Sequence, residues 1–259
     1  MEIAHIVPTN YLEPLRNTFQ TNFYMVLAHQ ILKDDKYLQF FQERKNEGAF
    51  IILDNSAFEF GNAIDDRFLL KAISLISPSE FILPDVLFDK EKTKERVNNF
   101  LKKNLDEEIN FMAVPQGNNI DEWIESYLSL IRNPLIKTIG VGAVYANKEE
   151  FKPNSYLQSG RENIFKQLEL RKILDESRDY HLLGLGDSGH LEIGSLKRCS
   201  YIRSVDSSAA FIHGKRGFLF NRKKGYKKSR EKINFNQEFS LVNLEKVKHN
   251  IRILNTAAH

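Results

Sequence analysis

The sequence predicts an α/β fold, a single (β/α)8 barrel spanning residues 1–259, and three observations predict it. The first is length: 259 residues suit one barrel, which takes roughly 250. The second is a series of short apolar runs of the kind that form strands buried on both faces. The third is that amphipathic stretches at helical spacing lie between those runs, the alternation that builds a parallel sheet through right-handed crossovers. Seven or eight strands in one domain of this size favour a closed barrel over an open, doubly wound sheet. No internal repeat, low-complexity tract or Pro/Gly-rich linker divides the chain.

In order, the runs are Phe23–Ala28, Phe50–Leu53, Phe81–Leu83, Phe111–Val114, Thr138–Val141, His181–Leu185 and Ile202–Val205, with a weaker eighth at Ile251–Leu254. Helices are expected at Arg67–Ile76, with Leu69, Leu70, Ala72 and Ile73 inward, and at Glu91–Lys103, with Val97, Phe100 and Leu101 inward. Two more are expected at Ile120–Ile131, around Trp123, Tyr127, Leu128 and Ile131, and at Glu162–Leu174, around Ile164, Phe165, Leu168 and Leu174.

Hydrophobic residues make up 42% and charged residues 27% of the chain, the balance of a soluble globular protein. No run reaches the roughly 18 apolar residues that span a bilayer. The N-terminal Met1-Glu2-Ile3-Ala4-His5 has no basic region leading into an apolar one. The expectation is a cytoplasmic protein of a bacterium or a phage-infected host, with no membrane partner. A single cysteine, Cys199, excludes an internal disulfide and a multi-cysteine zinc site; it reads as a small buried side chain. Neither metal nor cofactor is expected.

Charge is unevenly distributed. Residues 215–232 hold nine of the 37 Lys and Arg but one of the 34 acids. A basic insertion around 213–235 is therefore a candidate polyanion-binding patch, carried by Lys215, Arg216, Arg222, Lys223, Lys224, Lys227 and Lys228. Phe218, Phe220 and Tyr226 are interleaved with the cations, which suits nucleic acid, where bases stack and phosphates pair with Lys and Arg. A solvated loop is the plainer alternative.

Barrel enzymes work at the C-terminal ends of their strands, and there the sequence places Asp54-Asn55-Ser56-Ala57-Phe58-Glu59, Pro84-Asp85, Pro115-Gln116-Gly117, Gly140-Val141-Gly142, Leu183-Gly184-Leu185-Gly186 and Val205-Asp206-Ser207-Ser208-Ala209. An acid here is costly to desolvate unless it has a task, although any one of Asp54, Asp85 or Asp206 could merely cap the next helix. Gly184–Gly189 also matches a dinucleotide-binding G-x-G-x-x-G, but too little chain follows to complete that sheet. His29, just past the first run, reads as a hydrogen-bonded structural residue at the same rim.

Taken in order, these strand ends resemble those of the tRNA-guanine transglycosylase superfamily, most of all its zinc-less relatives that place 7-deazaguanines in DNA. Asp54-Asn55-Ser56-Ala57-Phe58 is similar to the family's Asp-Ser-Gly-Gly-aromatic motif, and Asp85 to its base-reading aspartate. Pro115-Gln116-Gly117, Gly140-Val141-Gly142 and Leu182-Leu183-Gly184-Leu185-Gly186 are similar to its later strand ends. Val205-Asp206-Ser207-Ser208-Ala209 is similar to its nucleophile motif. The resemblance covers residues 54 to about 216 and implies base exchange, with Asp206 attacking the sugar C1′ and Asp54 as general acid and base. It further implies that Asp85, Gln116, Gly117, Gly140 and Gly184 read the base while Phe58 and Leu183 sandwich it. The implied partners are DNA, with tRNA as the alternative, a free 7-deazaguanine base, and a second copy of the chain in a homodimer. The chain departs from the family in two places. Ser56-Ala57 replaces Gly-Gly, and the Cys3His zinc module cannot form. A hydrolytic DNA glycosylase on the same scaffold, a non-catalytic nucleic-acid-binding subunit and an unrelated sugar-phosphate barrel remain as other readings.

Overall fold

A computed structural model describes every residue except 104–107, 147, 153–158, 187–188, 223, 225 and 227–230. Eight strands pair in parallel: β1 (Glu2–His5), β2 (Phe23–Leu27), β3 (Phe50–Asp54), β4 (Glu80–Ile82), β5 (Asn110–Ala113), β6 (Ile136–Gly142), β7 (Asp179–Leu183) and β8 (Ile202–Ser207). Their order is β1-β8-β7-β6-β5-β4-β3-β2. The two ends of that row, β1 and β2, lie against each other, so the sheet curls into a nearly closed barrel.

Helices cover the outside: α1 (Leu12–Phe19), α2 (Ala28–Ile31), α3 (Asp35–Asn46), α4 (Ala57–Phe60), α5 (Asp66–Ile76), α6 (Lys90–Leu101), α7 (Ile120–Leu130), α8 (Gly160–Leu170), α9 (His190–Leu196), α10 (Ala209–Lys215) and α11 (Leu244–Ala258). Several start on a side-chain cap that satisfies an otherwise orphaned N–H: Asp34 for α3, Asp65 for α5, Asp89 for α6 and Asn119 for α7. Ser159 and Glu162 form a reciprocal capping box on α8. The longer helices bury an apolar stripe, as α5 does with Leu69, Ala72, Ile73 and Ile76. Each such side chain fully buried is worth roughly 1.5–3 kcal/mol.

Two of the expected elements differ. Ile251–Leu254 is not a strand but lies inside α11, whose buried Val247, Ile251, Leu254 and Ala258 recur at helical spacing. The strand that completes the barrel is β1, which pairs with β8 through Ala4↔Asp206 and its neighbours. The helix expected to run to Leu174 stops at Leu170, and Cys199 is half-buried rather than buried. Gly184–Gly189 follows β7 of a barrel, so it has no dinucleotide-binding sheet around it.

The N-terminal end of the barrel is plugged by charge that is fully paired. Arg203 in β8 donates to Glu80 at 2.6 Å and to Asp179 at 3.2 Å. Its guanidinium lies over the rings of Phe23 and Phe50 at 5.6 and 5.2 Å, and Thr138 donates to Glu80 from β6.

Candidate active site

At the opposite end the strand ends surround a cavity of about 930 Å³. Asp54, Phe58, Asp85, Gln116, Leu183, Gly184 and Asp206 all line it. None of the three aspartates caps a helix, so the capping alternative fails for each. Two glycines of the expected base-reading set do not line the cavity. A side chain on Gly117 would collide with the backbone of Trp123 at the start of α7, and one on Gly140 would meet Leu183, Val114 and Met112. Their role is close packing beneath the site.

Asp54 ends β3, and its carboxylate accepts the Ser56 N–H at 3.1 Å. Burial, and then the negative charges of Glu59, Asp206 and Asp85, push Asp54 well above the usual carboxylate range. Ser56 is buried and takes a left-handed conformation, φ 65°, which glycine would adopt at less cost. The ring Nδ1 of His29 meets its hydroxyl at 2.8 Å. Burial, helped by Lys33, lowers His29 to about 4, so this neutral imidazole braces the turn, as expected of a structural histidine. Glu59 in α4 also lines the cavity. It too is raised by burial, against its own N–H and Lys232, and its Oε2 has no partner among the described residues.

Asp206 lies in β8 across the cavity. Its Oδ1 accepts the Gly184 N–H at 2.8 Å and faces His181 Nε2 at 3.2 Å. His181 is fully buried, and its Nδ1 meets the Ser204 hydroxyl at 2.7 Å. The Nε2–H tautomer satisfies both contacts, with the Ser204 hydroxyl donating to Nδ1. Gly184 takes φ +71°, which turns its N–H toward Asp206.

Between these aspartates lies a buried polar network. Asn55 donates to Asp85 Oδ1 at 2.7 Å and Gln116 donates to Oδ2 at 2.6 Å. Gln116 Oε1 accepts from Phe88 N–H at 3.0 Å and from the Tyr145 hydroxyl at 2.5 Å. Burial raises Asp85 to about 6, against the lowering effect of the Asn55 and Gln116 amides. The two amides donate to both of its oxygens and fix its plane.

Described residues of the basic segment help wall the mouth of the cavity. The segment begins within α10, and Tyr226, Lys232, Ile233 and Phe235 line the cavity. Phe235 is buried against His29 and Tyr37. Tyr226 stacks on Phe220 at 4.3 Å. Lys215 turns inward, donating to the Tyr11 hydroxyl at 2.7 Å, and Arg216 pairs with Glu231 at 3.6 Å. Arg222 and Lys224 are exposed, and Lys223, Lys227 and Lys228 lie outside the described residues. Lys232 is a cavity-lining cation over the half-exposed ring of Phe58, at 5.8 Å.

Sequence reasoning passed over His181, Asn55, Tyr145 and Glu59 as site residues. His181 and Asn55 carried a signal, being polar side chains within or directly after an apolar run; Tyr145 carried none.

No helix among the described residues is long and apolar enough to cross a membrane. No group of three or more His, Cys, Asp or Glu among them could hold a metal ion.

No family model and no curated protein matches the chain. Among solved structures it is similar to 3-keto-D-glucoside 4-epimerase, YcjR, from E. coli, with 12% identity, TM-score 0.49 and 99% of each chain covered. It is also similar to tryptophan synthase from M. tuberculosis, with 11% identity, TM-score 0.47, and 99% of this chain and 90% of that one covered. A mandelate racemase/muconate lactonizing enzyme from Roseiflexus sp. matches with 11% identity and TM-score 0.45, over 79% of this chain and 54% of that one.

Proposed function

We propose that the protein is a base-exchange glycosyltransferase that replaces guanine in DNA with a 7-deazaguanine base. The observation that supports this reading is the division between two carboxyl groups in one cavity. Asp54 is held toward its protonated form by burial and by neighbouring negative charge. Asp206, on β8, receives the Gly184 N–H and faces the His181 ring. Two carboxyl groups in contrasting surroundings are what acid and nucleophile require.

In the first step an Asp206 oxygen attacks the sugar C1′. The bond from C1′ to the base nitrogen breaks, and Asp54 gives its proton to the leaving base. In the second step Asp54 takes a proton from the incoming base, whose nitrogen attacks C1′ and displaces Asp206. This is double displacement with retention through an oxocarbenium-like transition state. Asp85 and Gln116 read the polar edge of the flat ring. Phe58 and Leu183 flank it, with aromatic stacking worth about 1–3 kcal/mol. The target nucleotide leaves its stack to enter the cavity, and the basic wall holds the flanking phosphates.

The test is incubation with a labelled 7-deazaguanine base and, separately, duplex DNA, single-stranded DNA and tRNA. Label entering DNA supports the reading. Label entering tRNA alone transfers the same chemistry to the other polymer. Abasic sites without incorporation identify a hydrolase, and binding without either product a non-catalytic subunit.

A further inference from the structure

Arg161 and Glu192 form an ion pair with both side chains fully buried, and nothing in the chemistry above uses it. Arg161 sits in the first turn of α8 and donates from Nε and Nη2 to the two Glu192 oxygens at 3.0 and 2.5 Å. The third nitrogen, Nη1, donates to the carbonyls of Gly184 at 2.8 Å, Val141 at 3.2 Å and Leu183 at 3.4 Å. Glu192, from α9, accepts the Gly186 N–H at 3.1 Å and the Ser159 hydroxyl at 3.1 Å. The pair thus grips the ends of β6 and β7, taking their carbonyls with the cation and an amide with the anion.

One peptide unit in that grip matters most. The Leu183 carbonyl faces Arg161, and the N–H of the same peptide, belonging to Gly184, donates to Asp206 Oδ1. The peptide dipole is aligned between a guanidinium and a carboxylate. A cation on the carbonyl polarises the amide and strengthens its N–H as a donor, the cooperativity expected of hydrogen bonds in series at low dielectric. The Gly184 carbonyl, held at 2.8 Å, fixes the next peptide and so the φ of +71° that aims the N–H.

We propose that Arg161 is a positioning residue for Asp206, acting through the Leu183–Gly184 peptide, with Glu192 fixing the guanidinium. The role in catalysis rests on the reading of Asp206 as nucleophile; the physical coupling does not. A purely structural pair would behave differently. Replacing a buried ion pair by apolar residues of similar volume is often neutral for stability, so Arg161→Met/Glu192→Leu separates the two roles.

The protein is labelled with 15N-glycine, and the Gly184 amide is assigned by its loss in Gly184→Ala and its shift in Asp206→Asn. In the double variant the resonance moves toward its position in Asp206→Asn, and kcat for exchange falls on the order of tenfold or more, with KM little changed, as misplacement of a reacting group predicts. Arg161→Lys keeps the cation without the fork and gives an intermediate amide shift and rate. A folded double variant with an unmoved Gly184 resonance overturns the proposal. If the double variant does not fold, Arg161→Lys decides by the same readings, and an unmoved resonance there overturns it. If exchange is absent from the wild type, the functional reading fails, while the Gly184 resonance still decides the coupling.

Discussion

The two ends of the barrel bury charge on opposite terms. At the N-terminal end Arg203 meets Glu80 and Asp179 and lies over two aromatic rings. At the C-terminal end Asp54, Glu59, Asp85 and Asp206 share one cavity, and burial raises three of them. The first arrangement stabilises the fold only as an intact set; the second costs stability, and the proposed chemistry uses it. The difference teaches where to look for function, because charge that is fully paired leaves nothing for a ligand to satisfy.

The sharpest way to break this comparison is to remove one charge at each end. Asp206→Ala is expected to lower exchange by at least about 10³-fold, the scale of losing a nucleophile, while the urea midpoint falls by less than in Arg203→Met, since only the Gly184 N–H and the His181 ring lose a partner, at about 1–3 kcal/mol. Full activity in that variant would end the mechanism. Arg203→Met is expected to do the reverse. It strands Glu80 in the core and costs about 3–5 kcal/mol, read by urea unfolding, while the folded fraction keeps its exchange rate.

Asp54→Asn sharpens the comparison because it changes both quantities. Loss of a general acid lowers kcat about 10²–10⁴-fold. The same change should raise stability at pH 8. A carboxyl whose folded value lies above its unfolded one binds more protons when folded, so stability falls as pH climbs through that window. Asparagine does not titrate, so the variant gains roughly 0.5–2 kcal/mol at pH 8 and loses that gain near pH 3. A variant no more stable than the wild type at pH 8 would mean that Asp54 carries no such strain.

Much of the fold was legible because barrel strands are apolar on both faces and their runs end abruptly. β1 was not, since Glu2–His5 is four residues long with a charged and a polar end. Ile251–Leu254 misled for the converse reason: four apolar residues match a buried strand until the wider spacing of Val247, Ile251, Leu254 and Ala258 is weighed. In the site, Asp54, Asp85, Gln116 and Asp206 were readable from their place after such runs. Arg161 and Glu192 were not. Arg161 precedes Glu162 and Asn163 and looks like part of a solvated face, and Glu192 is a lone acid in a short helix; only tertiary packing buries the two against each other.

The smallest expected effect lies outside the cavity, in the seam between β1 and α11. His5 Nε2 meets Asn255 Oδ1 at 2.7 Å, and burial lowers His5 to about 4, against that hydrogen bond. The neutral ring is the one that fits. Above the ordinary histidine value of 6.5 both folded and unfolded chains carry it neutral, and its contribution is fully present. As pH falls from there toward 4, the unfolded chain binds the proton first and stability drops, by up to roughly 3 kcal/mol at the lower end. At pH 5.5, only partway into that window, the loss is nearer 1 kcal/mol. His5→Gln keeps a donor toward Asn255 without a titrating ring, so the fall in its urea midpoint between pH 7 and 5.5 is expected to be shallower than in the wild type. Exchange activity at pH 7 should be the same in both, since His5 lies at the seam and not among the residues that line the cavity. Parallel pH curves for the two proteins would show that the ring's burial does not couple to folding.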